Sequence, residues 1–257
     1  VTEPENLNEL CFEDKWILSK LNAVIRDVTD NMDKYELGIA VQKVYDFLWD
    51  ELCDWYIEMA KVRLWKADED PKAANDALWT LRTALTEGLK LLHPYMPFIT
   101  EEIYCTLLPE EESIMISDWP VYQEAWVFPE AEKAVESFKE AIRGIRNTRT
   151  EMNVPMNRKT HLYVVGKDAE TCARYEACKK SFVNLAFAKE IHVQENKDGI
   201  GEDAVSVVVS DAVVYMPLED LVDREKEMER LKKEQERLTK EIARCQGMLN
   251  NPNFVNK

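Results

Sequence analysis

The chain has 257 residues, a formal net charge of −16 and hydrophobic residues at 46% of its positions, which suits one to three domains with real cores and argues against a general nucleic-acid coating protein, since that would be basic. Only 7 glycines and 10 prolines occur, so long helices are favoured over many-turned sheets. Six cysteines at 11, 53, 105, 172, 178 and 245 form no CxxC pair and only three histidines are present, which speaks against a zinc site and fits reduced thiols in the cytosol.

The chain opens on VTEPENLNEL, polar and acidic and without a methionine. It therefore reads as starting inside a longer protein, with neither signal peptide nor membrane span. From about 12 to 31, Ile17, Leu21, Val24 and Val28, with Leu18, Ile25 and Met32 alongside, recur at offsets of three and four, the period of an amphipathic helix. A second helix is predicted over about 36–66, with Leu37, Val41, Val44, Leu48, Leu52, Trp55, Met59 and Val62 as its stripe. A third begins near Pro71, a residue tolerated at a first helical position, and carries Ala74, Leu78, Leu81, Leu85, Leu89 and Leu92. Pro94 and Pro97 then break the pattern, and Thr100 is expected to cap a short fourth helix ahead of Glu101 and Glu102. Antiparallel helices with short links bury such stripes most simply.

Pro109, Pro120 and Pro129 punctuate an irregular stretch, and a further helix is predicted over about 130–151. After Pro155 the period changes. His161–Val165, Glu190–Gln194, Ala204–Val209 and Ala212–Met216 read as strands, with a helix over about 168–185 between the first two. From Leu221 onward, Leu221, Met228, Gln235, Ile242 and Leu249 fall on one heptad position and Leu231, Leu238 and Cys245 on the other. This is a coiled-coil seam, and its partner strand is expected in sequence beyond Lys257 or in a second copy of the chain. The fold class is thus mainly α: an antiparallel helix bundle at 1–128, a small α/β module at 129–217, and the first strand of a coiled coil at 218–257.

No GxGxxG, no Walker loop and no serine or cysteine nucleophile with a nearby histidine is present. His93, in LLHPYMP, reads as a packed or turn-stabilising histidine rather than a base. Arg143, Arg146 and Arg149 recur every three residues and, with Arg158 and Lys159, make the one sustained basic stretch outside the coil. Such a stripe is a candidate for phosphate contact; its competing role is surface pairing with Glu136, Glu140 and Glu151. Arg237 and Lys240 are candidates in the coil, among cations nearly balanced by neighbouring glutamates.

Several strings carry a family resemblance. HPYMPFITEEIY at 93–104, DKWILSKL at 14–21 and SDWP at 117–120 resemble the anticodon-binding bundle of the class I aminoacyl-tRNA synthetases for valine, isoleucine, leucine and methionine. FLWDELCDWYIEMAK at 47–61 and the coil ending in LNNPNFVNK at 249–257 are more similar to the valyl-tRNA synthetases than to the rest. The resemblance implies a C-terminal, tRNA-binding part: a bundle that grips the anticodon stem-loop and an arm that leans on the tRNA corner. The family's HIGH and KMSKS motifs are absent. No catalysis and no cofactor are therefore expected of this chain, with ATP and Mg2+ belonging to the missing catalytic domain. The expected partner is tRNA(Val), the expected location cytoplasmic, and the full-length enzyme monomeric. Loop bases are read by stacking on aromatics, so Lys15 and Trp16, with Lys20 one turn later, are the candidate anticodon contacts; Trp16 competes for a core position. An isoleucyl or leucyl synthetase fragment and a helical interaction scaffold remain the alternatives.

Overall fold

The computed structural model describes residues 1–155, 157–221 and 224–249, the side chains of 224–231 and 247–249 excepted. Helix α1 (Phe12–Asp33) buries Ile17, Leu18, Leu21, Ile25 and Val28, as their spacing predicts. The next helix turns without interruption through α2 (Leu37–Asp46), a π-helical segment (Phe47–Tyr56) and α3 (Ile57–Leu64). Bonding from i to i+5 widens the helix there and brings Phe47, Leu52, Trp55 and Tyr56 inward together. A strict 3.6-residue period finds Leu52 and Trp55 but misses Tyr56. That phenol is fully buried and donates to Asp14 Oδ1 at 2.7 Å, and Asp14 in turn pairs with Arg63 at 2.6 Å.

Helix α4 (Pro71–Leu92) starts with Asp70 accepting from Ala73 N–H and Pro71 in the first turn. Of the predicted stripe, Ala74 and Leu89 are buried and Leu81, Leu85 and Leu92 pack against the core, but Leu78 is exposed, and Ala77, Thr80, Ala84 and Gly88 complete the inward face. Small residues let α4 approach the second helix closely. A Cβ at Gly88 would lie 2.7 Å from Leu48 Cδ2, nearer than van der Waals contact allows. Helix α5 (Pro97–Leu107) begins three residues before Thr100. Thr100 is therefore not its cap; its hydroxyl bonds back to Met96 O at 2.8 Å because Pro97 already occupies the first turn.

Helix α6 (Pro129–Glu151) joins the two halves of the molecule, packing on α1. Its Gly144 faces strand β3 (Val205–Val208) so closely that a Cβ would sit 2.4 Å from Val207 Cγ1. The other strands are β1 (Thr160–Gly166), β2 (Ala188–Gln194) and β4 (Ala212–Met216), and the sheet order is β2-β1-β4-β3. β1 pairs parallel with β2 through α7 (Ala169–Ala177) and α8 (Lys179–Leu185), which divide the single predicted helix at Cys178, and antiparallel with β4. One apolar core runs continuously from Trp16 to Leu221 across both halves.

Leu221 requires a correction. It is 1% exposed in the short helix α9 (Leu218–Leu221), packed on β1, and so does not belong to the coil. The long helix α10 (Arg224–Leu249) follows. Of the predicted seam, Gln235, Leu238, Ile242 and Cys245 are exposed; the side chains of Met228, Leu231 and Leu249 lie outside the described residues. Among the described residues, no helix is long and apolar enough to cross a membrane.

Lys139 of α6 fastens the bundle. Its side chain is 1% exposed and its ammonium bonds Glu51 at 2.5 Å and Glu136 at 3.4 Å. Truncating one partner of a buried ion pair costs roughly 3–5 kcal/mol, so Lys139→Ala should destabilise by about that much in urea unfolding. Adding Glu51→Gln should restore part of the loss; an unchanged midpoint in the single variant would show that the pair is not structural.

Candidate nucleic-acid interface

The three candidates on α1 turn toward protein. Trp16 is fully buried and donates Nε1–H to Glu136 at 3.2 Å. Its ring therefore cannot stack on a base, and the stacking role read from the sequence is corrected. Lys15 is half-buried, donating to Asn8 O at 2.6 Å with its ammonium 6.0 Å from the Phe128 ring. Lys20 pairs with Glu136 at 3.0 Å. Burial acts to lower the Lys20 pKa, but Glu136, with Glu51 and Glu132, reverses this and holds it above the usual lysine value.

The arginine stripe divides. A helix advances about 100° per residue, so a three-residue repeat drifts by roughly 60° at each step. Arg143 stays exposed, its guanidinium 5.2 Å from the Trp55 ring, and has no ion pair among the described residues. Arg146 is also exposed and lies 5.9 Å from the same ring, but it donates to Leu185 O at 3.1 and 3.2 Å. Arg149 has rotated inside. It is 4% exposed and donates to the carbonyls of Pro155 at 3.2 Å and Arg158 at 2.6 Å. A phosphate cannot reach it, which corrects its place in the basic stripe. In α10, Arg237 is held by Glu234 at 2.6 Å and Glu241 at 3.8 Å, whereas Lys240 is exposed.

Aromatics are exposed elsewhere, Trp65 at the α3–α4 turn among them, and the two most exposed lie at turns at one end of the bundle. The α1–α2 turn presents Tyr35, 88% exposed, and the α4–α5 turn leads into Phe98, 91% exposed. Tyr95 Oη donates to Leu37 O at 3.0 Å and ties these two turns together. The His93 ring bridges Thr100 Oγ1 at 2.7 Å and Met115 Sδ at 2.9 Å, bringing in residues 114–116. Leu37, Met96, Met115 and Ile116 are exposed around them.

Tyr35 stands out within this group. Glu36 N–H bonds Asn31 O and Tyr35 N–H bonds Met32 O, the pattern in which a left-handed residue ends a helix. That residue is usually glycine, yet Tyr35 holds φ at 60°. A tyrosine there is strained, as Asn153 and Phe187 are at φ of 53° and 55°, and such residues persist where the surroundings hold them in place. The sequence signal was present in the HPYMPF string and the break after Asp33, but exposure was not readable from it. A second exposed pair, Tyr45 stacked on Trp49, is flanked by Asp46, Asp50 and Asp54, whose charge repels phosphate.

Comparisons with known proteins identify the family. The family profile described as "Anticodon-binding domain of tRNA ligase" matches residues 14–164, and that described as "Valyl tRNA synthetase tRNA binding arm" matches residues 223–257. The chain is 48% identical over 260 residues to the valine–tRNA ligase of Clostridium perfringens, covering 98% of this chain and 28% of the relative. It is 50% identical over 244 residues to that of Clostridium tetani, covering 95% and 27% respectively. To that of Staphylococcus carnosus it is 40% identical over 248 residues, covering 96% and 28%. The chain thus spans little more than a quarter of the length of these curated relatives.

The division of the arginines has a direct check. Arg149→Ala removes a buried donor from two carbonyls and should cost about 1–3 kcal/mol of stability, while Arg143→Ala should change it by less than about 0.5 kcal/mol. Equal losses in thermal unfolding would mean that Arg143 is also structural.

Proposed function

This chain belongs to the family of the anticodon-binding domain of tRNA ligases, and from that premise we propose that it is the tRNA-reading part of a valine–tRNA ligase. The bundle end takes the anticodon loop, the exposed cations of α6 and α10 take backbone phosphates, and the partner is tRNA(Val). The observation that carries this reading is the pair of turns tied by Tyr95 to Leu37, which presents the exposed Tyr35 and Phe98 among the exposed Leu37, Met96, Met115 and Ile116. Unstacked bases lie on such aromatic surfaces.

Catalysis, with ATP and Mg2+, is assigned to the remainder of the longer protein, and the chain is assigned to the cytoplasm. Support comes from the lack of a nucleotide-binding motif in the sequence and from the relatives' greater length. The purified chain should not support valine-dependent ATP–pyrophosphate exchange; measurable exchange would overturn this assignment.

Tyr35 allows stability and binding to be separated. Tyr35→Gly relieves a left-handed conformation that costs an L-residue roughly 1–2 kcal/mol, part of which is offset by glycine's looser unfolded chain. The variant should therefore be as stable as the parent or more so. It should also lose about 1–3 kcal/mol of affinity for tRNA(Val) in a gel shift, the worth of one base stack. Arg143→Ala should flatten the log–log salt dependence by roughly one unit. Undiminished binding by Tyr35→Gly, or equal binding of an unrelated tRNA, would remove the anticodon role from this end.

A further inference from the structure

Helix α9 is too short to hold itself in place, and its position comes from a polar cluster on the α/β module. The Asp220 carboxylate accepts from His161 twice through Oδ2, from the backbone N–H at 2.8 Å and from the ring Nδ1 at 2.7 Å. Arg158 reaches the same helix from the other side, with Nη2 on Glu219 O at 3.0 Å and Nε on Asp220 O. Arg149, buried in α6, holds the Arg158 carbonyl at 2.6 Å. Leu221 seats the end of α9 in the core. A chain of contacts thus runs from α6 through the 152–159 loop to α9.

This cluster lies at the root of α10. Three Cα steps separate Leu221 from Arg224, where α10 begins, so the root is tethered within about 11 Å of the cluster. Burial pushes the Asp220 carboxyl up, but the bonds and charge of His161, with the charge of Lys189, outweigh it and leave the carboxyl below its usual value. The cluster is therefore set up for an ionised Asp220.

We propose that Asp220 is a positioning residue for tRNA: clasped by His161 and Arg158, it holds α9, and with it the start of α10, beside the sheet, so that the arm meets the RNA from one place. The inference rests on the reading of this chain as a tRNA-binding part. An arm with a fixed root pays less ordering entropy on binding than a freely pivoting one, and it can engage the RNA at the same time as the bundle. Two of the arginines that the sequence offered to phosphate, Arg149 and Arg158, act here on protein carbonyls.

The test compares two RNAs, whole tRNA(Val) and its isolated anticodon stem-loop, with wild type, Asp220→Ala, Arg158→Ala and Asp220→Asn. Wild type should bind the whole tRNA more tightly than the stem-loop. The two alanine variants should lose about tenfold or more on the whole tRNA, a modest part of the gain that linked contacts bring, with stem-loop affinity unchanged. Asp220→Asn keeps an acceptor for the His161 N–H and should fall between. Spin labels on Cys53 and Cys245, the two exposed thiols, should give a broader distance distribution in Asp220→Ala than in wild type. Equal losses on both RNAs, or no loss on either with an unchanged distance distribution, overturn the inference alone. Wild type that binds neither RNA overturns the tRNA reading as well.

Discussion

A single ammonium group organises the bundle. Lys139 projects from α6 into a space closed by the rings of Trp16 and Trp55, 4.8 and 5.5 Å away, with the carboxylates of Glu51 and Glu136 as its ion partners. A buried charge without partners costs several kcal/mol, so α1, the second helix and α6 can pack only where both rings and both carboxylates converge. Glu136 gathers Trp16, Lys20 and Lys139 together. Burial alone would raise its pKa, but Lys139 and Lys20, with the Trp16 bond, hold it below the ordinary value. Trp16 and Lys20, read from the sequence as RNA contacts on α1, are parts of this fastening.

The rest of the candidate interface is arranged around it. Trp55, one wall of the Lys139 site, presents its ring to Arg143 and Arg146, so the exposed guanidiniums of α6 are held on a surface that the buried lysine sets. Farther along α6, Gly144 brings the helix against β3 and joins bundle and module in one core. The carboxylates are distributed along helix faces, many of them in ion pairs, while the end that carries Tyr35, Phe98 and Met115 exposes aromatic and apolar side chains together. Turns carry that end because a turn can present side chains that a packed helix cannot.

Much of the architecture was legible in the chain. Periods of three and four located α1 and the second helix, Pro71 marked the start of α4, and valine-rich runs marked the strands of the sheet, while Pro97 and Pro129, read as breaks, open α5 and α6. These signals are local: they depend on neighbours within one or two turns, and they place the element and its approximate ends. The errors share one cause. Leu78 lies on an apolar stripe yet faces outward, because Ala77, Ala84 and Gly88 allow the closer approach. Tyr56 was missed because the π-helical turn shifts the period, and Leu221 kept heptad spacing while belonging to another helix.

What the sequence by itself determined was most of the elements and their order, which follow from residue type and spacing, together with the strings that resemble the family. Which cations and aromatics are free was decided only by the tertiary structure. Trp16 and Tyr35 are both aromatics near the ends of α1, and Arg143 and Arg149 lie on the same helix. One of each pair is buried and the other exposed, because availability depends on what the fold places opposite a side chain. The opposing groups, Glu136 for Trp16 and the carbonyls of Pro155 and Arg158 for Arg149, come from other elements or from the following loop, and no spacing within a single helix encodes them.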